Sequence, residues 1–152
     1  MIKNILFVCT GNSCRSVMAE GLLKQAVAGR KNEFEIGSAG IAAYDGYPST
    51  LETIRVMHES GVDVSDHRSR RLTRELVDRA DKIFVMEKMH REMIVNFWPE
   101  ASDKVHLLTE FSPEDARRRD ADVPDPIRTS DEFYREILRI IDECVRRIAA
   151  TL

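Results

Sequence analysis

The sequence predicts an α/β fold: one domain over residues 1–152, an open four-stranded parallel sheet with helices on both faces, and a cysteine-bearing loop after the first strand. Two observations carry that expectation. Short apolar runs alternate along the chain with longer stretches of helical period, the pattern of strands joined by helical crossovers. The chain also opens on a strand–loop–helix unit, in which Ile5-Leu6-Phe7-Val8 leads through Cys9–Ser16 into Val17–Leu23. With 152 residues, 43% of them hydrophobic, there are enough apolar side chains for one core. No repeat, linker or low-complexity stretch interrupts it.

Each element follows from its residues. Ile5–Val8 is apolar without alternation, as expected of a strand buried on both faces. Phe34-Glu35-Ile36 reads as the second strand, ending at Gly37-Ser38-Ala39-Gly40. A loop with Tyr44, Tyr47 and Pro48 follows, then an amphipathic helix over Leu51–Glu59 and a further helical pattern over Leu72–Arg79. Lys82–Met86 is the third strand, Lys88–Phe97 a helix and Val105–Leu108 the fourth strand. From Ser112 to Asp131 no period holds, and Pro113, Pro124 and Pro126 fall within it, so it reads as a long functional loop. A helix from Glu132 to Ile148 closes the chain, apolar at Phe133, Ile137, Ile140, Ile141, Val145 and Ile148. In an open sheet of this kind ligands bind beyond the carboxyl ends of the strands. The Cys9 loop, the segment from Ser38 to Tyr44 and the proline-containing loop all emerge there.

The stretch Cys9-Thr10-Gly11-Asn12-Ser13-Cys14-Arg15-Ser16 carries the chemistry. A loop that leaves a strand and opens a helix gathers backbone N–H groups at the positive end of the helix dipole, which suits a phosphate-sized anion. Thiols at a helix N-terminus beside a cation ionise at about 3.5–7.5 instead of about 8.5, so Cys9 is expected to act as a nucleophile on whatever the loop binds. The planar guanidinium of Arg15 suits two phosphoryl oxygens. Gly11 and Asn12 tolerate left-handed backbone angles, and the Ser16 hydroxyl is placed to hydrogen-bond the thiolate. A bare C-x5-R is common; between a strand and a helix, with Gly-Asn inside and Ser after, it is specific. Expulsion of a leaving group from phosphorus also needs a proton donor. Asp120, Asp122 and Asp125 are all candidates by position.

This signature resembles that of the low-molecular-weight protein tyrosine phosphatases. The similarity continues through Ser38-Ala39-Gly40, through Asp66-His67-Arg68-Ser69-Arg70 and through Asp125-Pro126 before the last helix, covering essentially the whole chain. It implies Cys9 as nucleophile, Arg15 as phosphoryl ligand, Asp125 as general acid, and Thr10 to Ser16 as the phosphate-binding loop. It also implies a reversible disulfide between Cys14 and the nucleophile. Val17 stands where the family usually has proline, a change that touches no chemistry. Pocket-wall candidates are Ser13, Tyr44 and Ile127, with Tyr47 weaker.

Other features narrow the class. A net charge of -3 argues against a nucleic-acid binder, and no apolar run approaches the ~20 residues of a membrane helix. Met1 leads straight into a core strand, leaving no room for a signal peptide, and three cysteines make no disulfide framework, so a cytoplasmic location is expected. His58, His67, His90 and His106 lack metal-ligand spacing; no metal or cofactor is expected. Arg68, Arg70, Arg71 and Arg74 read as a solvated helix entry, and Cys144 as a core residue. The expected partner is a phosphorylated protein substrate, and a monomer is the default.

Two other readings compete. A thiol-dependent arsenate reductase shares the loop pattern but needs relay cysteines after the third strand, and Met86–Ile94 contains none. A phosphocarrier with a cysteine loop needs neither Arg15 nor Asp125. Among phosphatases, tyrosine-specific members often carry a bulky aliphatic residue at the position of Ser13 and aromatic residues after the Asp-Pro. This chain has Ser13, Ile127 and Arg128 there. The related protein-arginine phosphatases carry threonine at the position of Ser13, and a hydroxyl suits a guanidinium. Phosphotyrosine is the family default and phosphoarginine the alternative.

Overall fold

The strands lie in the order β2-β1-β3-β4, all parallel, in a computed structural model that describes residues 1–112 and 118–152. They span Lys3–Cys9 (β1), Phe34–Gly40 (β2), Lys82–Val85 (β3) and Val105–Leu107 (β4). Helices Arg15–Ala26 (α1), Leu51–Glu59 (α2), Arg74–Arg79 (α3), Lys88–Phe97 (α4) and Asp131–Thr151 (α5) connect and close them. The expected fold class is the observed one.

The two layers follow from the alternation of side chains along β1. Ile5, Phe7 and Cys9 face a core shared with Met18, Leu22 and Leu23 of α1, Met57 of α2 and Ile137, Ile141 and Val145 of α5. Leu6 and Val8 face a second core with Val77 of α3 and Ile94 of α4. Both faces of β1 are therefore buried, which is why its sequence is a continuous apolar run. α5 buries Tyr134, Ile137, Leu138, Ile141, Cys144, Val145 and Ile148, the i, i+3, i+4 stripe of an amphipathic helix, and Ser130 Oγ caps its first turn by accepting from Phe133 N–H at 3.2 Å.

Several boundaries differ from the sequence expectation. The pattern over Leu72–Arg79 forms helix only from Arg74, because Thr73 is an extended N-cap whose Oγ1 accepts from Leu76 N–H at 3.3 Å. Leu72 instead donates its N–H to Gly40 O. β4 stops at Leu107, where Leu108–Phe111 tightens into a 3-10 turn. β3 stops at Val85, yet Met86 N–H still reaches Val8 O at 3.2 Å. Short 3-10 turns also occupy Ala28–Glu33, Pro99–Lys104 and Arg118–Asp120, stretches too brief to show a period. The expected functional loop from Ser112 to Asp131 contains the last of these, and its residues 113–117 lie outside the described residues. No helix among the described residues is long and apolar enough to cross a membrane.

Candidate active site

β1 ends at Cys9, and the chain turns through Thr10–Cys14 into α1 at Arg15. Asn12 takes the turn at φ 54°, the left-handed region that Asn tolerates better than most residues. The loop is pressed against the end of β2. A Cβ on Gly40 would sit 2.6 Å from Thr10 O and 2.9 Å from Asn12 N, so only glycine permits this approach. Ile41 and Ala42 then donate their N–H groups to Cys9 O and Thr10 O. Among the described residues the N–H groups of Gly11, Ser13 and Cys14 find no backbone acceptor, and they stand with the first turn of α1 as free donors.

Cys9 is buried, with its sulfur 2.9 Å from Ser16 Oγ and 3.3 Å from Asn12 N, whose N–H points at it. Hydrogen counting fixes the direction of that serine bond. The Glu20 carboxylate accepts from Ser38 Oγ. Asn12 Oδ1 accepts Arg70 N–H at 3.0 Å, which orients the amide, and both Nδ2 protons go out at 2.9 Å, to Ser38 Oγ and Ser16 Oγ. Ser16 is left with its own proton to donate to the Cys9 sulfur. His67 Nε2 meets Asn12 O at 2.9 Å, and Arg70 Nε donates to Ser38 O. A surface groove beside this network is lined by its outer members, Glu20, Ser38, His67 and Arg70, and not by Cys9, Arg15 or Asp125.

Arg15 is only 2% exposed. Its Nη1 donates to Glu87 Oε2 at 2.6 Å and Val123 O at 2.7 Å, and its Nη2 lies 3.8 Å from Asp125 Oδ2. Of the three acidic candidates, Asp120 is exposed and pairs with Lys88 at 3.8 Å. Asp122 accepts Lys88 N–H at the start of α4. Asp125 is the one beside the guanidinium, and its Oδ1 also accepts Ile127 N–H at 3.1 Å, an Asx turn that holds the carboxylate. Glu87 is the N-cap residue of α4, in a reciprocal box with His90: Glu87 N–H donates to His90 Nδ1 at 3.1 Å. The other ring nitrogen of His90 meets Thr10 Oγ1 at 2.9 Å. His90 is completely buried, and burial first, then Arg15, pushes its pKa down to about 4 against the opposing pull of Glu87, Asp122 and Asp125.

The remaining expected residues lie around this centre. Cys14 is buried at the N-cap of α1, with its sulfur 3.6 Å from Thr50 Oγ1 and from Tyr134 Oη and 3.7 Å from Ser13 Oγ. Burial raises the pKa of the Tyr134 hydroxyl, keeping it protonated. Cys9 and Cys14 are both free thiols and contact different partners. Ser13 holds Thr50 N–H with its carbonyl. Tyr44 and Tyr47 are exposed at 77% and 64%, on a segment fixed by Ser69, whose Oγ accepts Tyr47 N–H and donates to Tyr44 O. Ile127 is 45% exposed. No cluster of metal-ligand residues occurs among the described residues.

The family model described as low molecular weight phosphotyrosine protein phosphatase matches residues 4–152. The chain belongs to that family. It is a cysteine-dependent phosphatase by that membership. It is 39% identical over 154 residues to the "Probable low molecular weight protein-tyrosine-phosphatase EpsP" of Ralstonia nicotianae, covering 99% of each chain. It is 36% identical over 152 residues to a protein-arginine-phosphatase of Geobacillus stearothermophilus, covering 100% of this chain and 97% of that one. A solved structure of the arginine phosphatase YwlE, a cysteine-to-serine mutant with a phosphorylated active-site serine, superposes with a TM-score of 0.89 at 31% identity, covering 98% of this chain and 95% of that one.

Within this phosphatase, side chains to which the sequence gives no role in the loop reach it from distant parts of the chain. His67 and Arg70 read in the sequence as a scattered histidine and a member of a solvated basic cluster, within the Asp66–Arg70 stretch that resembles the family. In the fold His67 supports the Asn12 carbonyl and Arg70 the Asn12 amide. Glu87 and His90 lie within Met86–Ile94, where the sequence marks His90 only as a histidine without metal-ligand spacing and gives Glu87 no role. Their one sequence signal was the capping pattern Glu87-x-x-His90 opening a helix.

Proposed function

We propose that this protein is a protein tyrosine phosphatase that hydrolyses phosphomonoesters on protein substrates through a cysteinyl phosphate. Cys9 Sγ attacks phosphorus, forming the P–S bond as the P–O bond to the leaving group breaks. Asp125 delivers its proton to the departing oxygen. In the second step Asp125 takes a proton from water as that water attacks phosphorus, the P–S bond breaks, and the thiolate and inorganic phosphate are released. Arg15 and the loop N–H groups hold the phosphoryl oxygens throughout, and the Ser16 proton stabilises the departing thiolate. The observation that carries this reading is the convergence of Cys9 Sγ, Ser16 Oγ and Asn12 N–H at 2.9–3.3 Å, with Arg15 and Asp125 paired alongside. The phosphorylated serine in the YwlE mutant supports a phosphoenzyme on this loop. The free thiols Cys9 and Cys14 suit a cytoplasmic location.

Ser13 favours a second reading, a protein-arginine phosphatase by the same mechanism, because a loop hydroxyl can accept from a guanidinium where an aliphatic side chain cannot. Relatives of both kinds match at similar identity. Steady-state kinetics on phosphotyrosine and phosphoarginine peptides, with Cys9→Ser as blank, separates the two by their kcat/KM ratio. Turnover of either, lost in the mutant, is the expected result; turnover of neither removes the hydrolase reading. Ser13→Ile is expected to shift the ratio towards phosphotyrosine, and an unchanged ratio rejects Ser13 as the determinant.

A further inference from the structure

One fully buried histidine lies between the phosphate loop and the start of α4, and no step of the proposed mechanism uses it. We propose that His90 is a positioning residue that staples the two ends of the Cys9 loop to one helix turn. The proposal rests on the phosphatase reading above.

The donor logic is closed. Glu87 N–H is a donor, so His90 Nδ1 must accept it, and the neutral ring then carries its proton on Nε2. That proton goes to Thr10 Oγ1 at 2.9 Å. The first residue after the nucleophile is therefore fixed from two sides: its hydroxyl by His90, its carbonyl by Ala42 N–H at 2.9 Å. The same imidazole secures the peptide of Glu87, whose carboxylate grips Arg15 at 2.6 Å. Thr10 and Arg15 bracket the loop, and both are tied to the first turn of α4 through His90 and Glu87. A loop held at both ends keeps its N–H groups aimed as charge moves from the leaving oxygen to sulfur and back. Catalysis by preorganised donors demands this, because misplacement of the reacting groups by about 1 Å costs on the order of a hundredfold in rate.

A histidine that only capped α4 would need the Nδ1 bond and nothing else. The two functions can be separated. His90→Asn presents Oδ1 near the position of Nδ1, keeping the cap, but has no donor that reaches Thr10. His90→Gln extends an amide N–H towards Thr10. Thr10→Val removes the acceptor and keeps the shape.

The expected result is that His90→Asn and Thr10→Val each lower kcat/KM by about tenfold, with inorganic phosphate inhibiting more weakly in the same proportion. The double variant should be no worse than either single one, and His90→Gln should recover part of the loss. Thermal melts report the folded fraction of each variant. Additive losses, or losses that only track the unfolded fraction, or full activity in folded His90→Asn, overturn the proposal. A wild type without turnover refutes the phosphatase reading instead. In that case the affinity for inorganic phosphate by calorimetry still decides: weakening in His90→Asn upholds the staple, and equal affinity rejects it.

Discussion

Asn12 concentrates more of the site's geometry than any other side chain in the loop, and its replacement gives the most direct test of that geometry. The residue is completely buried and sits at φ 54°. Its side chain makes three hydrogen bonds, to Ser16, Ser38 and the Arg70 amide, within 2.9–3.0 Å. Asn12→Gly keeps the backbone angle easy and removes all three. Each net bond contributes about 1 kcal/mol, and orphaned partners push the cost upward, so a loss of roughly 3 kcal/mol is expected. Asn12→Ala adds about 1–2 kcal/mol for a Cβ in the left-handed region. For a chain of this size 1 kcal/mol moves the melting temperature by about 2–4 °C. Urea denaturation of the two variants therefore measures the bonds by Gly against wild type, and the backbone term by Ala against Gly. If Asn12→Gly loses less than about 1 kcal/mol, the three bonds of Asn12 contribute little and do not hold the loop.

Asp125→Asn is expected to lower kcat by about 10²–10⁴ on substrates with poor leaving groups and far less on activated aryl phosphates, read by steady-state kinetics across a leaving-group series. An equal loss across the series would mean that Asp125 only orders Arg15. Glu87→Gln keeps a hydrogen bond to Arg15 but removes the charge; a rise of about tenfold in the inhibition constant of inorganic phosphate is expected, and no change would show that Val123 O suffices to hold the guanidinium. The unfolded chain protonates His90 near pH 6.5, whereas the folded one resists until about 4, so the unfolded state binds more protons between these values. Stability should fall as pH drops from about 6.5 towards 4, by about 3 kcal/mol at most, and His90→Asn should flatten that slope in pH-dependent urea titrations.

The sheet and the reactive loop were legible because their signals are local. An apolar run such as Ile5–Val8 marks a doubly buried strand whatever surrounds it, and a strand running into Cys-x5-Arg-Ser and an apolar helix marks an anion loop. The proposal of Asp125 as the acid rests on the family's Asp-Pro pattern, which the local sequence alone does not replace. Its three-way ambiguity with Asp120 and Asp122 is physical, since all three share one irregular loop and only the approach of Arg15, 110 residues away, distinguishes them.

The sequence by itself determined the fold class, the order of elements, the position of the phosphate loop and the family. Tertiary structure alone decided what holds that loop. Asn12 draws its partners from Ser38 and Arg70, 26 and 58 residues away, and Arg15 from Glu87 and Val123, 72 and 108 residues away. Thr10 meets His90 across 80 residues. Periodicity reports which face of an element is buried. It carries no record of which distant polar group will satisfy a buried donor, because that pairing exists only once the strands have taken the order β2-β1-β3-β4 and brought their carboxyl ends together.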